Sequence, residues 1–120
     1  MTKIVFYKSD GVMYGFEETG HTGFGEEGSD ILCAALSSMT MLIVNTVEVG
    51  FASDVCYDYD EKTTNIKVIA KGALPQFESD EKKRFAIAGL ITAYYYQLND
   101  MVEDYYEYLD VDCVEKPLDK

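Results

Sequence analysis

An α+β fold, with two helices packed on a mainly antiparallel sheet in the order β-β-α-β-β-α-β, is what three features of this sequence predict. Two alternating, strand-like runs open the chain around a turn signal. Two long apolar segments carry helical spacing, and each is followed by further short strand-like runs. Strands that can pair through tight turns favour antiparallel neighbours, and two amphipathic helices need one sheet face to cover.

The first runs are 3–7 and 12–19, joined at Ser9-Asp10-Gly11, whose Asp-Gly pair suits a hairpin turn. The segment 20–28 holds four glycines in nine residues and reads as a mobile loop. Ser29 or Asp30 can cap a helix that runs to about Val47. Ile31, Leu32, Ala35, Leu36, Met39, Leu42 and Ile43 give that helix so broad an apolar face that a central, buried position is expected. Strands are expected over 51–59 and 64–70, around a polar turn at Asp60-Glu61-Lys62. After Pro75, Ile87, Leu90, Ile91, Tyr94, Leu98, Met101, Val102 and Tyr105 predict an amphipathic helix from near Asp80 to about Tyr108. Gly89 inside it suggests that another backbone packs close. A last strand is expected from Leu109 to Glu115, before Pro117. The tyrosine runs 94–96 and 105–106 read as core and helix-interface residues, with outward ones free for a dimer contact.

At 120 residues the whole chain, 1–120, is expected to form one domain. Its 48% hydrophobic and 27% charged residues are those of a folded protein rather than a disordered one. The apolar run after Met1 is too short for a signal peptide, and no segment reads as the ~20 apolar residues that span a bilayer. A cytoplasmic protein with no membrane partner is the expectation. A net charge of −12 opposes a nucleic-acid surface and would draw in a basic peptide or protein. It also serves solubility alone, and names no partner by itself. The three cysteines are widely spaced, with no Cys-x-x-Cys pair, so neither disulfides nor a metal site is expected, and no cofactor is implied.

The chemistry concentrates at residues 20–37. A cysteine nucleophile needs thiolate character, a base or cation nearby, and access to substrate. Cys33 is expected in the first turn of the first helix, where unpaired N–H groups and the helix dipole favour a negative thiolate. The chain's one histidine, His21, lies twelve residues upstream on a loop able to close back on the helix start. Asp30, Cys33 and Ser37 are spaced i, i+3, i+7 and line one polar seam on an apolar helix. Each also has a purely structural use. A helical cysteine serves as a small hydrophobe, a histidine among glycines as a turn residue, Asp30 as a cap, and Ser37 as a donor to the preceding turn. Cys56 and Cys113 have no such company.

These residues resemble the ribosomal-processing cysteine protease family, Prp, of low-GC Gram-positive bacteria. The resemblance rests on Gly20-His21 after a strand, a Gly-rich loop, and Gly28-Ser29-Asp30-Ile31-Leu32-Cys33-Ala34-Ala35-Leu36-Ser37. A long helix ending in Tyr105-Tyr106-Glu107-Tyr108-Leu109 before a final strand agrees in layout. The resemblance implies Cys33 as nucleophile, His21 as general base, Asp30 as a group that orients the pair and Ser37 as support. It implies a substrate that is a large-subunit ribosomal protein, bL27, with a cleavable N-terminal extension cut after an aromatic pair, and a homodimer formed through the helices. Gly20, Gly23, Gly25 and Gly28 would then hold the substrate as an extended peptide, with the oxyanion against N–H groups at the helix start. Two rivals are a ribosome-associated protein that binds such a peptide without cutting it, and a thiol redox sensor. The sensor would need a resolving cysteine, and neither Cys56 nor Cys113 is near Cys33 in sequence.

Overall fold

In a computed structural model of the chain, which describes residues 1–20 and 27–119 (27–30 as backbone only), the opening hairpin forms as expected. Asp10 and Gly11 both adopt positive φ, 50° and 78°, the pair that a two-residue turn between twisted strands requires. They join β1 (Thr2–Ser9) to β2 (Val12–Thr19). The register shifts between Tyr7 and Lys8, because Tyr7 pairs with Gly15 and Lys8 with Met13, so Tyr14 is an extra residue in the ladder. The shift turns the Tyr14 ring against Tyr7, 6.3 Å between centroids, and its hydroxyl donates to the Lys116 carbonyl at 2.6 Å. Tyr7 donates in turn to Glu17, and burial beside that carboxylate pushes its hydroxyl up to about 12.

The helices follow as α1 (Glu27–Asn45), continued by a π-helical turn over Thr46–Gly50, and α2 (Glu81–Tyr105). The remaining strands are β3 (Cys56–Tyr59), β4 (Ile66–Ile69) and β5 (Leu109–Glu115). One five-stranded sheet has the order β3-β4-β2-β1-β5. All its pairs are antiparallel except β1 with β5, which lies parallel at one edge. Leu109 opens β5 opposite Thr2, while Asp110, Asp112 and Glu115 place charge along the edge, which discourages pairing with another chain.

Both helices cover the face that carries Ile4, Phe6, Phe16, Ile66 and Val68, all buried. Phe6 is the centre of that core. Its ring lies 5.4 Å from Phe16, 5.7 Å from Tyr94 and 5.2 Å from Tyr95. From α2 the buried residues are Ile87, Ile91, Tyr94 and Leu98, half of the stripe read from the sequence, while Leu90, Met101, Val102 and Tyr105 are half-buried against the core. Asp80 caps this helix, accepting from the N–H groups of Lys82 and Lys83 at 3.0 and 3.4 Å.

Several expectations need correction. The first helix begins at Glu27, so Ser29 and Asp30 lie inside its first turn rather than at its cap, and Gly28 is helical rather than part of the loop. It is also one-sided. Leu32, Leu36, Ile43, Val44 and Val47 are buried, but Ile31 and Leu42 are 61% and 59% exposed. The stretch Ile31–Gly50, 20 residues of mean hydropathy 1.6, is long and apolar enough to cross a membrane by length and composition alone, contrary to the reading that no segment is. Its serines and threonines interrupt the run without lowering its hydropathy enough. The strand expected over 51–59 is confined to 56–59, because the Ser53 N–H bonds back to the Val47 carbonyl and Ala52 takes a positive φ of 50°. The next strand starts at Ile66, after Asp60 has folded the turn by accepting from the Lys62 and Thr63 N–H groups.

Gly89 faces open space, with no atom of another described element within 4 Å of where a Cβ would stand, so no described neighbouring backbone explains it. Gly89→Ala is therefore expected to stabilise the monomer fold by up to ~1 kcal/mol, read as a higher urea midpoint at unchanged slope. A lower midpoint would show that this surface is covered in solution.

Candidate active site

α1 turns one side toward the sheet, and Cys33 is on it. Residues 33 and 40 are seven apart, about 20° from each other around a helix of 3.6 residues per turn. Thr40 is buried, as are Leu36 and Val44 on the same side, whereas Cys33 is half-buried one to two turns nearer the helix start. Cys33 therefore stands on the core-facing stripe without being fully buried. This is compatible with access, the third requirement of a nucleophile.

Cys33 is the seventh residue of α1 rather than a first-turn residue. Its own N–H falls within the helical ladder, since only the first four lack an intrahelical partner. The expected pairing of Cys33 with free first-turn N–H groups is corrected to that extent. Ser37 is exposed, so the polar seam leads outward there, and the buried polar residue that continues the Cys33 stripe is Thr40. His21, Gly23 and Gly25 lie outside the described residues, as does the side chain of Asp30.

Gly20 has a local reason of its own. It takes φ +75°, and a Cβ there would run into the Met1 carbonyl oxygen. The strand can leave the sheet at this point only through glycine, and the next residue is His21.

The other two thiols lie on strands, Cys56 exposed in β3 and Cys113 half-buried in β5. Burial, then the hydrogen bond it donates to Asp58 at 3.5 Å, pushes the Cys56 thiol up. Burial does the same to Cys113. Neither shift favours the thiolate, the reactive form. Among the described residues no group of three or more His, Cys, Asp or Glu could hold a metal ion.

The sequence reading missed a polar cluster on the helix-facing side of the sheet. Glu18 is fully buried in β2, two residues from Phe16 on the same face. Its Oε1 accepts from the Tyr94 hydroxyl at 2.7 Å and the Thr40 hydroxyl at 2.9 Å. The two hydroxyls are themselves 3.4 Å apart. The available signal was the alternation of β2, which puts Glu18 where an apolar residue belongs. Desolvation raises the Glu18 carboxyl above its ordinary 4.5, with the two hydroxyl donors opposing it. Burial, and then the same carboxylate, push the Tyr94 hydroxyl up.

A carboxyl raised on folding adds stability that is whole below its ordinary value and is lost as pH rises through its raised one. The melting temperature of the wild type should accordingly fall relative to Glu18→Gln as pH increases above 4.5, in paired calorimetric scans. A difference that stays constant with pH would contradict this.

The comparisons with known proteins agree with this fold. Protein SMU.848 from Streptococcus mutans is 28% identical, with a TM-score of 0.76 over 97% of this chain and 99% of that one. The essential ribosomal processing protease Prp of S. aureus, crystallised with a substrate peptide, is 18% identical, with a TM-score of 0.74 over 95% of this chain and all of that one. The same protease with a covalently linked product peptide gives 20% and 0.69 over the same shares. At those identities the S. aureus structures speak for the shared fold. No curated protein matches the chain significantly. The family model described as cysteine protease Prp matches residues 1–110, nearly the whole sequence, and the protein therefore belongs to that family of cysteine proteases.

Proposed function

We propose that this protease removes the N-terminal extension of the large-subunit ribosomal protein bL27 during ribosome assembly in the cytoplasm. The reading is supported by the family and by the S. aureus relative of the same fold, a ribosomal processing protease that binds a substrate peptide. The observation that carries the site assignment is the place of Cys33, half-exposed on the core-facing stripe of α1 and in line with the buried Thr40 two turns further on.

In the proposed reaction the Cys33 sulfur attacks the scissile carbonyl, forming a C–S bond and a tetrahedral oxyanion. His21 holds the thiol proton and delivers it to the leaving nitrogen as the C–N bond breaks, releasing the mature ribosomal protein. Water, deprotonated by His21, then cleaves the thioester, freeing the extension as a carboxylic acid and restoring the thiol. Asp30 orients the pair, Ser37 supports the site, and Gly20, Gly23, Gly25 and Gly28 are assigned to substrate binding. The net charge of −12 favours approach of a basic ribosomal protein over RNA.

The homodimer belongs to the same proposal. Ile31 and Leu42 on α1 and Phe85 and Tyr96 on α2 are exposed apolar residues on the helical layer, the side away from the sheet. Light scattering on the purified protein should give twice the 13.5 kDa chain mass, and a monomer at micromolar concentration would count against it. The activity itself is tested by incubating the protein with the extended ribosomal protein and weighing the products. Intact substrate would refute the assignment.

A further inference from the structure

We propose that Glu18 is a positioning residue of the active site, its carboxylate clamping the end of β2 to α1 and α2 through Thr40 and Tyr94. This rests on the reading of Cys33 and His21 as the catalytic pair.

The placement is what carries it. β2 is an inner strand, and Glu18 lies between Ile4 of β1 and Ile66 of β4 on the helix-facing side. Two residues later Gly20 takes the chain out of the sheet, and His21 follows. The hydroxyl that Glu18 receives from α1 belongs to Thr40, on the same stripe as Cys33 and about 10 Å further along the helix. One carboxylate oxygen thus ties the strand that leads into His21 to the helix that bears Cys33. The second hydroxyl, from Tyr94, adds α2 to the same knot. Three separate elements meet at a single atom.

Core packing does not explain the choice of residue. The equivalent positions around it on this face are Ile4, Phe6, Phe16, Ile66 and Val68, and a leucine at 18 would continue them. Burying a carboxylate costs free energy even when it is hydrogen-bonded, and an apolar replacement of similar size is often neutral or stabilising. Thr40 and Tyr94 are close enough to bond each other without it. A hydrogen bond fixes direction and distance in a way that apolar contacts do not. Fixing the strand end against α1 is a gain for a reaction in which a 1 Å misplacement costs on the order of 100-fold.

Glu18→Leu, Glu18→Gln and Tyr94→Phe are compared with wild type for cleavage of the extended ribosomal protein, well below each melting temperature, with folding checked by circular dichroism. Cys33→Ala serves as the control. The expected result is a Glu18→Leu protein that melts no lower than wild type, with kcat down ~10-fold or more and KM within about twofold. Glu18→Gln keeps a carbonyl acceptor and should recover most of the loss, and Tyr94→Phe should fall between. Wild-type kcat in a folded Glu18→Leu protein, while Cys33→Ala is inactive, overturns the role of Glu18 alone. Equal losses in Glu18→Leu and Glu18→Gln, tracking their melting temperatures, also overturn it, since a purely structural role would give that pattern. Undiminished cleavage by Cys33→Ala overturns the catalytic pair and this inference with it.

Discussion

Cys33→Ala is expected to leave a folded protein that cleaves the extended ribosomal protein ~10⁴-fold more slowly or not at all, because the proposed acyl intermediate is carried on the Cys33 sulfur. The fold should tolerate the change. Cys33 is half-buried, so removal of one sulfur leaves no enclosed cavity, and the circular dichroism spectrum should be unaltered. His21→Ala should lose ~10²–10⁴-fold, the usual share of a general base. The double variant should be no slower than Cys33→Ala, since groups acting as a unit do not add. Product masses over a time course give all three rates. A Cys33→Ala protein retaining more than about a tenth of wild-type activity would contradict the assignment.

Phe6→Ala carries the largest expected effect on stability. Phe6 is fully buried at the meeting of β1, β2 and α2, with three aromatic rings inside 6 Å. Its removal takes away apolar area and leaves a void that Tyr94 cannot fill while its hydroxyl is held by Glu18. A loss of ~3–5 kcal/mol is expected, a large part of the whole stability of a domain this size. Urea unfolding followed by circular dichroism measures it. A loss under about 1 kcal/mol would mean that the core is not built around this ring.

The elements that the sequence made legible are those governed by local rules. The Asp10-Gly11 turn, the start of α2 next to Asp80 and the apolar stripe of α2 each depend on a few neighbouring residues; the turn and the helix start stand as read, and four of the eight stripe positions, Ile87, Ile91, Tyr94 and Leu98, are buried. Legibility ended where tertiary contact decides. The apolar breadth of α1 gave no indication of which side meets the sheet, so Ile31 and Leu42 were expected inside and are exposed. The helix starts three or four residues earlier than a cap at Ser29 or Asp30 implies, which places Cys33 in the second turn rather than the first.

For the site, the sequence named Cys33 through its neighbours and through the family they resemble. It could not show that Thr40 continues the Cys33 stripe into the core, nor that Glu18 reaches both Thr40 and Tyr94 from a strand. That cluster joins residues 22 and 76 positions apart, and no local pattern encodes such a contact.

The most direct test is to trap the intermediate. Wild-type protein is mixed with an equal amount of the extended ribosomal protein, quenched in acid at short times, and weighed intact before peptide mapping. A species heavier by the acyl form of the N-terminal extension, with the thioester on Cys33 and none in Cys33→Ala, is the expected result. Cleavage that proceeds with no adduct, or with the adduct on Cys56 or Cys113, would contradict the assignment of Cys33 as the nucleophile.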